Sequence, residues 1–302
     1  MPRLRDLIAA LRPSQWTKNM VVLAAFFFAF WDRTRAHPLT FHDLAVVLPA
    51  ALLFCVLSSG VYVLNDIRDV EADRFHPTKK LRPIPSGRVS MGQAWFLGLL
   101  LLVAGLAAAR LLSVPFFLVA CAYVALQLTY SLGLKHIALA DSMVIAGGFV
   151  LRAIAGAAVL PGVGISPWLL LCTFLLALFL ALCKRRHEKI LLMDLDAGSQ
   201  HRPSLQAYDP QLLDQLIAIT AGATIVSYSI YTLWPETVRK FGTSALGFTI
   251  PFVVFGIFRY LDLVYRHEQG GRPEKILLTD FPLLATIALY ALTAGVIFML
   301  PR

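Results

Sequence analysis

A chain of 302 residues would ordinarily suggest about two soluble domains, but 58% of these residues are hydrophobic, 15% are charged and the mean hydropathy is +0.70. Apolar runs long enough to cross roughly 30 Å of hydrocarbon recur along the whole chain, without the period-two alternation of a transmembrane strand. These features exclude a soluble protein, argue against a β-barrel, and assign the net charge of +9 to a membrane surface with anionic lipid rather than to nucleic acid.

Residues 1–15 read as a basic, amphipathic lead-in lying on the membrane, without the small-residue cleavage site of a signal peptide. The first expected span is 16–32. Trp16 suits a membrane interface, and Lys18, next to Asn19, is either a snorkelling anchor or a ligand for an anion. The second span, 44–66, runs straight into "YVLNDIRDVEADRFHPTKKLRPIPSG" (62–87), where four acids and six basic residues crowd the helix end. If the helix continues past the membrane edge, Asp66, Asp69 and Asp73 fall at i, i+3 and i+7 and share one face, with Asn65 alongside. Carboxylates this close repel one another unless a positive charge lies between them. Hard oxygen ligands over two turns suit Mg²⁺, which commonly bridges carboxylates to substrate phosphates. Lys79, Lys80 and Arg82 follow and could hold further phosphate oxygens, while Pro83, Pro85 and Gly87 restrict the returning chain. The bland alternative is a solvated helix end whose acids pair with Arg68, Arg74 and nearby lysines. Acids for a metal beside bases for phosphate favour a magnesium-bound diphosphate site in the loop 67–90.

Spans 91–112 and 114–132 are parted only by Ser113-Val114-Pro115, a stop that fits a tight helical hairpin. Tyr130 and Lys135 close the fourth span, where Lys135 could meet a diphosphate. Span 138–160 carries Arg152 at mid-membrane, which is costly unless it faces a polar cavity or a partner. The favoured reading is an anion-binding arginine in a cavity, with a structural pair to Asp141 as the alternative. Small residues around it (Gly147, Gly148, Ala153, Gly156) let helices approach closely. After span 166–184 comes a second inner loop, 185–210, entered through "KRRHEK". Lys184 and Arg185, with Glu188 as the near acid, make a basic entrance suited to a phosphate, or else a plain topological anchor. Spans 211–234, 244–264 and 281–300 complete the set of nine, and the polar segment 265–280 reads as a connector. His76, His136, His187 and His267 lack metal spacing to one another. The four cysteines (Cys55, Cys121, Cys172, Cys183) sit in apolar segments as packing residues.

Most of the 27 lysines and arginines fall at the N-terminus and in the loops after spans two, four, six and eight. The positive-inside rule therefore puts the N-terminus and both long polar loops in the cytoplasm. The fold expected is an all-α membrane protein of about nine spans, with residues 1–302 forming one polytopic domain.

Asn65-Asp66-x-x-Asp69-x-x-x-Asp73, "RPIPSG" (82–87) and "YSLGLKH" (130–136) resemble the UbiA superfamily of intramembrane prenyltransferases. That resemblance implies a helical bundle around a central cavity and a Mg²⁺ site on Asp66, Asp69 and Asp73. It also admits a homo-oligomer in the membrane. "LRPSQWTKN" (11–19), "VYVLNDIRDVEADRFHPTKKLRPI" (61–84), "LKHIALADSMVIAGGFVLRAIAGA" (134–157) and "KRRHEK" (184–189) look like the narrower family of decaprenyl-phosphate phosphoribosyltransferases. The activity this implies is transfer of the phosphoribosyl group from phosphoribosyl diphosphate to a polyprenyl phosphate, at the inner membrane of a bacterium with the site facing the cytoplasm. Its product would be a lipid-linked pentose donor for the envelope. Ordinary prenyltransferases of the superfamily carry a second aspartate-rich motif. Here Asp194 and Asp196 lack the DxxxD spacing, which weighs against an aromatic prenyltransferase. A transporter is the remaining alternative, and acids at one membrane edge rather than at the midplane weigh against it.

Overall fold

The computed structural model describes residues 4–75, 78–194, 208–267, 270–271 and 273–300, and every regular element among them is helical. Of the expected features, residues 1–3 of the lead-in, His76, Asp196 and positions 195–207 of the second inner loop lie outside the described residues. Eight helices are long and apolar enough to cross a membrane: 41–68, 91–112, 114–132, 140–158, 167–191, 210–233, 245–266 and 281–299. They agree with the second to ninth expected spans.

The first expected span differs. Residues Pro13–Met20 wind as a 3-10 helix and only Val21–Phe30 (α2) is α-helical, too short to be counted with the others. In a 3-10 helix side chains three apart eclipse. Trp16 and Asn19 are three apart and both reach the same neighbour: Trp16 Nε1 donates to Ser59 Oγ at 3.0 Å and Asn19 Nδ2 to Ser58 Oγ at 3.2 Å. The tighter winding thus sets two polar side chains against one polar patch of the next helix.

The chain divides into two compact units. The first holds residues 1–27, 39–135 and 148–164. It contains α1 (Leu4–Ala10), α3 (Leu44–Arg68), α4 (Val70–Phe75), α5 (Met91–Leu112), α6 (Val114–Leu132) and the latter part of α7 (Ala140–Ala158). Its principal packing is α3 against α5, with α6 on both. Ser90 caps α5 in a reciprocal capping box with Gln93. Ser113 caps α6 by accepting from Phe116 N at 3.1 Å, which makes the hairpin anticipated at Ser113–Pro115.

The second unit holds residues 28–38, 136–147 and 165–302. It contains α8 (Pro167–Asp194), α9 (Pro210–Leu233), α10 (Pro235–Phe241), α11 (Ile250–Arg266), α12 (Pro273–Thr279) and α13 (Phe281–Met299). α8 packs mainly on α9, over a core that includes Phe179, Leu182, Tyr208, Leu213, Ile217 and Tyr260. α8 stays helical to Asp194, beyond the expected span end at 184, so "KRRHEK" stands on a helix rather than in a loop.

At Gly156 of α7 the chain of α2 comes very close. A Cβ there would lie 1.9 Å from the carbonyl oxygen of Val22. Gly156→Ala is therefore expected to push α2 and α7 apart and to destabilise the protein by about 1–3 kcal/mol, the usual range for overpacking. A lowered thermal midpoint in detergent checks this. Gly222→Ala, at a helical glycine with no atom within 4 Å of its Cβ position, is the control and should leave the midpoint unchanged or raised.

Candidate active site

The acidic cluster forms where α3 gives way to α4. α3 ends at Arg68, Asp69 leaves helical geometry with φ −93° and ψ 7°, and α4 resumes at Val70. The turn-to-turn hydrogen bonds persist through this break: Asp69 N donates to Asn65 O at 2.9 Å and Asp73 N to Asp69 O at 2.8 Å. Asp66 and Asp73 consequently keep the common side that i, i+7 spacing predicts. Both are buried, and both converge on one nitrogen. Arg82 Nη1 donates to Asp66 Oδ1 at 3.1 Å and to Asp73 Oδ2 at 2.8 Å. Lys79 Nζ lies 3.6 Å from Asp73 Oδ1.

Arg82 is placed by its own turn. Ser86 N bonds to Arg82 O, Gly87 N to Ile84 O and Val89 N to Pro83 O, each at 3.0 Å. Gly87 takes φ +76°, a conformation that favours glycine. Ile84 and Val89 are buried against Ala10, Val63, Ile67 and Ala94, which anchors the turn to α1, α3 and α5. Arg88 adds an ion pair with Asp6 of α1 at 2.8 Å. Burial first, and then the charge of Arg12 beside it, pull the Arg82 guanidinium below its ordinary value. A guanidinium starts so high that it remains charged at neutral pH.

Two participants escaped the sequence analysis although both stand inside motifs it singled out. Arg12, from "LRPSQWTKN", sits in left-handed backbone (φ 53°, ψ 61°) and donates through Nη2 to the same Asp66 Oδ1 that Arg82 holds. Ser131, from "YSLGLKH", donates to Asn65 Oδ1 at 3.0 Å. Asn65 Nδ2 in turn donates to Asp69 Oδ2 at 3.1 Å, and Lys135 binds Asp69 Oδ1. Their partners are 54 and 66 residues away in sequence, so no local spacing could have announced them.

The expected metal trio is not gathered as one ligand set. Among the described residues no three His, Cys, Asp or Glu side chains are placed to hold a metal ion. The physical reason is the break at Asp69, whose carboxylate is taken by Lys135 and Asn65. Asp66 and Asp73 do fit a divalent ion in donor chemistry, because their hard oxygens already converge on one cationic atom. One or two carboxylates plus substrate phosphates is the usual Mg²⁺ environment. The three acids are matched by four cations, Arg12, Lys79, Arg82 and Lys135. This surplus of positive charge favours an anionic ligand.

The other expected residues lie differently. Lys80 is exposed, and Lys18 and Tyr130 are half-buried. Arg152 is buried and met by protein oxygens: Asn19 Oδ1, the Gly148 carbonyl and the Tyr123 hydroxyl, each at 2.8 Å. Its guanidinium also lies over the Tyr123 ring, 4.7 Å from the centroid. Asp141, the alternative partner weighed for Arg152, belongs to Arg185 instead, 2.7 Å from its Nε. Arg185 is only 3% exposed, and its Nη1 reaches Glu188 at 2.5 Å. Tyr208 completes this network by donating to Asp141 Oδ1 and accepting from Leu139 N, both at 2.7 Å. Burial pushes the Tyr208 hydroxyl up to about 12, so it stays protonated as a donor. Of the α8 group, Lys184 is the more accessible cation, with a side chain 41% exposed.

A profile of the UbiA prenyltransferase family matches residues 20–277. The chain is 36% identical over 280 residues to the decaprenyl-phosphate phosphoribosyltransferase of Corynebacterium glutamicum, covering 91% of this chain and 81% of that one. It is 35% identical over 291 residues to the Mycobacterium tuberculosis protein of the same name, covering 96% and 93%. A solved UbiA homolog from Archaeoglobus fulgidus bound to GPP and Mg²⁺ superposes with a TM-score of 0.71 at 19% identity, across 98% of this chain and all of that one. At that identity the likeness is one of fold.

Removing the charge at the centre of the cluster should expose how much depends on it. Arg82→Gln leaves two buried carboxylates without their common cation and is expected to cost about 3 kcal/mol, the low end for a broken buried pair because Arg82 is itself part-exposed. Adding Asp73→Asn should restore part of the lost thermal midpoint, since the repulsion then disappears. A double variant no more stable than Arg82→Gln would contradict this electrostatic account.

Proposed function

The chain belongs to the UbiA prenyltransferase family, and on that premise we propose that it transfers the 5-phosphoribosyl group of phosphoribosyl diphosphate to a polyprenyl phosphate, releasing diphosphate. The observation that carries this reading is the cation-rich acidic cluster. Two carboxylates converge on one cationic nitrogen, and three further basic side chains stand on the acids. Relatives of that name, similar over nine-tenths of this chain, support it.

Asp66 and Asp73 would hold a divalent ion, completed by oxygens of the donor's diphosphate. When bound, that ion supplies neutralisation of the negative charge that builds up on the departing diphosphate. Lys79, Arg82 and Lys135 bind further phosphate oxygens of the donor and hold it for reaction. Asn65 and Lys135 fix Asp69 from two sides, so the charged groups do not need to reorganise as the ribose C1–O bond breaks. The acceptor phosphate is already anionic at neutral pH. It forms the new bond to C1 while the old one breaks towards diphosphate, and no strong general base is required.

Lys184, a partly exposed cation of α8, is the residue proposed to meet a lipid phosphate. Arg185 and Glu188 support that turn of the helix rather than reach out from it. A soluble donor and a lipid acceptor fit a bacterial inner-membrane protein whose polar loops open to the cytoplasm. The product would serve as a lipid-linked pentose donor for the envelope.

The test uses purified protein in detergent with Mg²⁺, radiolabelled phosphoribosyl diphosphate and a polyprenyl monophosphate, with an EDTA control. Label should enter the organic phase only when metal is present. Consumption of a prenyl diphosphate with an aromatic acceptor, and no ribosyl transfer at any chain length, would overturn the reading. Asp66→Asn should lower turnover by about a hundredfold or more while the protein still inserts, as expected when a group stabilising transition-state charge is lost. Full activity of that variant would remove Asp66 from the site.

A further inference from the structure

Ser131 stands in none of the roles assigned so far, yet it is 7% exposed at the inner end of α6 and its hydroxyl bonds to the side-chain oxygen of Asn65. A carboxamide has one accepting and one donating end, and its neighbours decide which way round it sits. At Asn65 the decision is unambiguous. A carboxylate that already carries a lysine can only accept, so the amide must turn its nitrogen to Asp69 Oδ2 and its oxygen to the remaining neighbour, which is Ser131.

We infer that Ser131 is a positioning residue for the donor's diphosphate. It locks the polarity of the Asn65 carboxamide, and through it the orientation of Asp69 and the placement of Lys135. The chain of contacts is continuous. Ser131 Oγ to Asn65 Oδ1 is 3.0 Å, Asn65 Nδ2 to Asp69 Oδ2 is 3.1 Å, and Lys135 takes the other oxygen of Asp69. With Oδ2 pinned by the amide, the Asp69 carboxylate presents one oxygen to Lys135 in one direction. Lys135 itself is 2% exposed, and its ammonium is held to that oxygen. Two consequences follow. Asn65 acts as a hydrogen-bond donor in the site, its oxygen being committed to Ser131. Losing the Ser131 hydroxyl leaves a buried amide oxygen without its donor and allows the amide to swing, which releases Asp69 and then Lys135.

This inference rests on the proposed reading only for the identity of the donor, since the contacts exist whatever anion Lys135 meets. Ser131→Ala is expected to raise the KM for phosphoribosyl diphosphate by about fivefold to tenfold, the size of one lost hydrogen bond. The kcat should change by less than the KM, and the thermal midpoint should fall modestly, because a buried amide oxygen loses its donor. Ser131→Thr, which keeps the hydroxyl, should return the KM to the parent value. In an Asn65→Ala background, Ser131→Ala should add nothing, because the amide through which it acts is gone. Binding of inorganic diphosphate without turnover, measured by calorimetry, should weaken in Ser131→Ala by the same factor. An unchanged KM and diphosphate affinity in Ser131→Ala would overturn the inference, as would full additivity with Asn65→Ala or a loss confined to the thermal midpoint. A parent protein that transfers no ribosyl group would overturn the reading of the donor instead, and the diphosphate measurement would still decide the role of Ser131.

Discussion

The candidate site of the first unit is arranged around one guanidinium nitrogen placed between two buried carboxylates. Asp66 is 1% exposed and Asp73 4%, and Arg82 is the cation they share, with Arg12 also on Asp66 and Lys79 beside Asp73. The need to deliver Arg82 to that point accounts for what surrounds it. The turn 82–89 has three backbone hydrogen bonds and a left-handed glycine because the chain must double back within a few residues. Ile84 and Val89 make the turn part of a hydrophobic cluster with α1, α3 and α5, so its position is set by burial rather than by the ion pairs it serves.

Ionic clusters of this kind are poor devices for stability. Replacing a buried ion pair with apolar residues of similar volume is often neutral or stabilising. A helix end wanting only stability would have continued the apolar pattern of α3. Arg152 makes an instructive contrast. It too is a buried cation, but neutral acceptors satisfy it: an amide oxygen, a backbone carbonyl and a phenol, with aromatic faces above. That arrangement ties α6, α7 and the 3-10 segment together. The cluster around Arg82 instead meets charge with charge and carries more cations than acids.

The spans were legible because hydrocarbon thickness imposes their length on the sequence, and the α5–α6 hairpin because a capping serine and a proline mark it. The first expected span, 16–32, departs from a continuous α-helix. Its composition is apolar enough, but polar pairing with α3 winds its start as a 3-10 helix, and composition carries no sign of that. In the candidate site, Asp66, Asp73, Lys79 and Arg82 come together from one short stretch, so their proximity is legible in the sequence. Arg185, expected at a basic entrance suited to a phosphate, is buried. In "KRRHEK" the basic residues look alike, and only the packing of α8 shows that one of them turns inward to Asp141.

The two misses, Arg12 and Ser131, share a cause that a longer motif list would not cure. Each is an ordinary residue for its local position, an arginine before a proline and a serine near a helix end. Each acquires its role from a partner on α3 that the fold brings alongside. α3 is the helix on which these long-range ties converge. Ser58 and Ser59 receive the 3-10 segment, Asn65 receives α6, Asp66 receives Arg12 and Arg82, and Asp69 receives Lys135. An apolar span that carries this many polar side chains in its C-terminal half cannot face lipid on that side, because each would be left without a partner in hydrocarbon. The polar stripe therefore dictates that neighbouring segments cover α3 there, and the covering segments bring the cations. The same residues that require burial thus assemble the charged cluster, and the fold and the candidate site follow from one pattern on one helix.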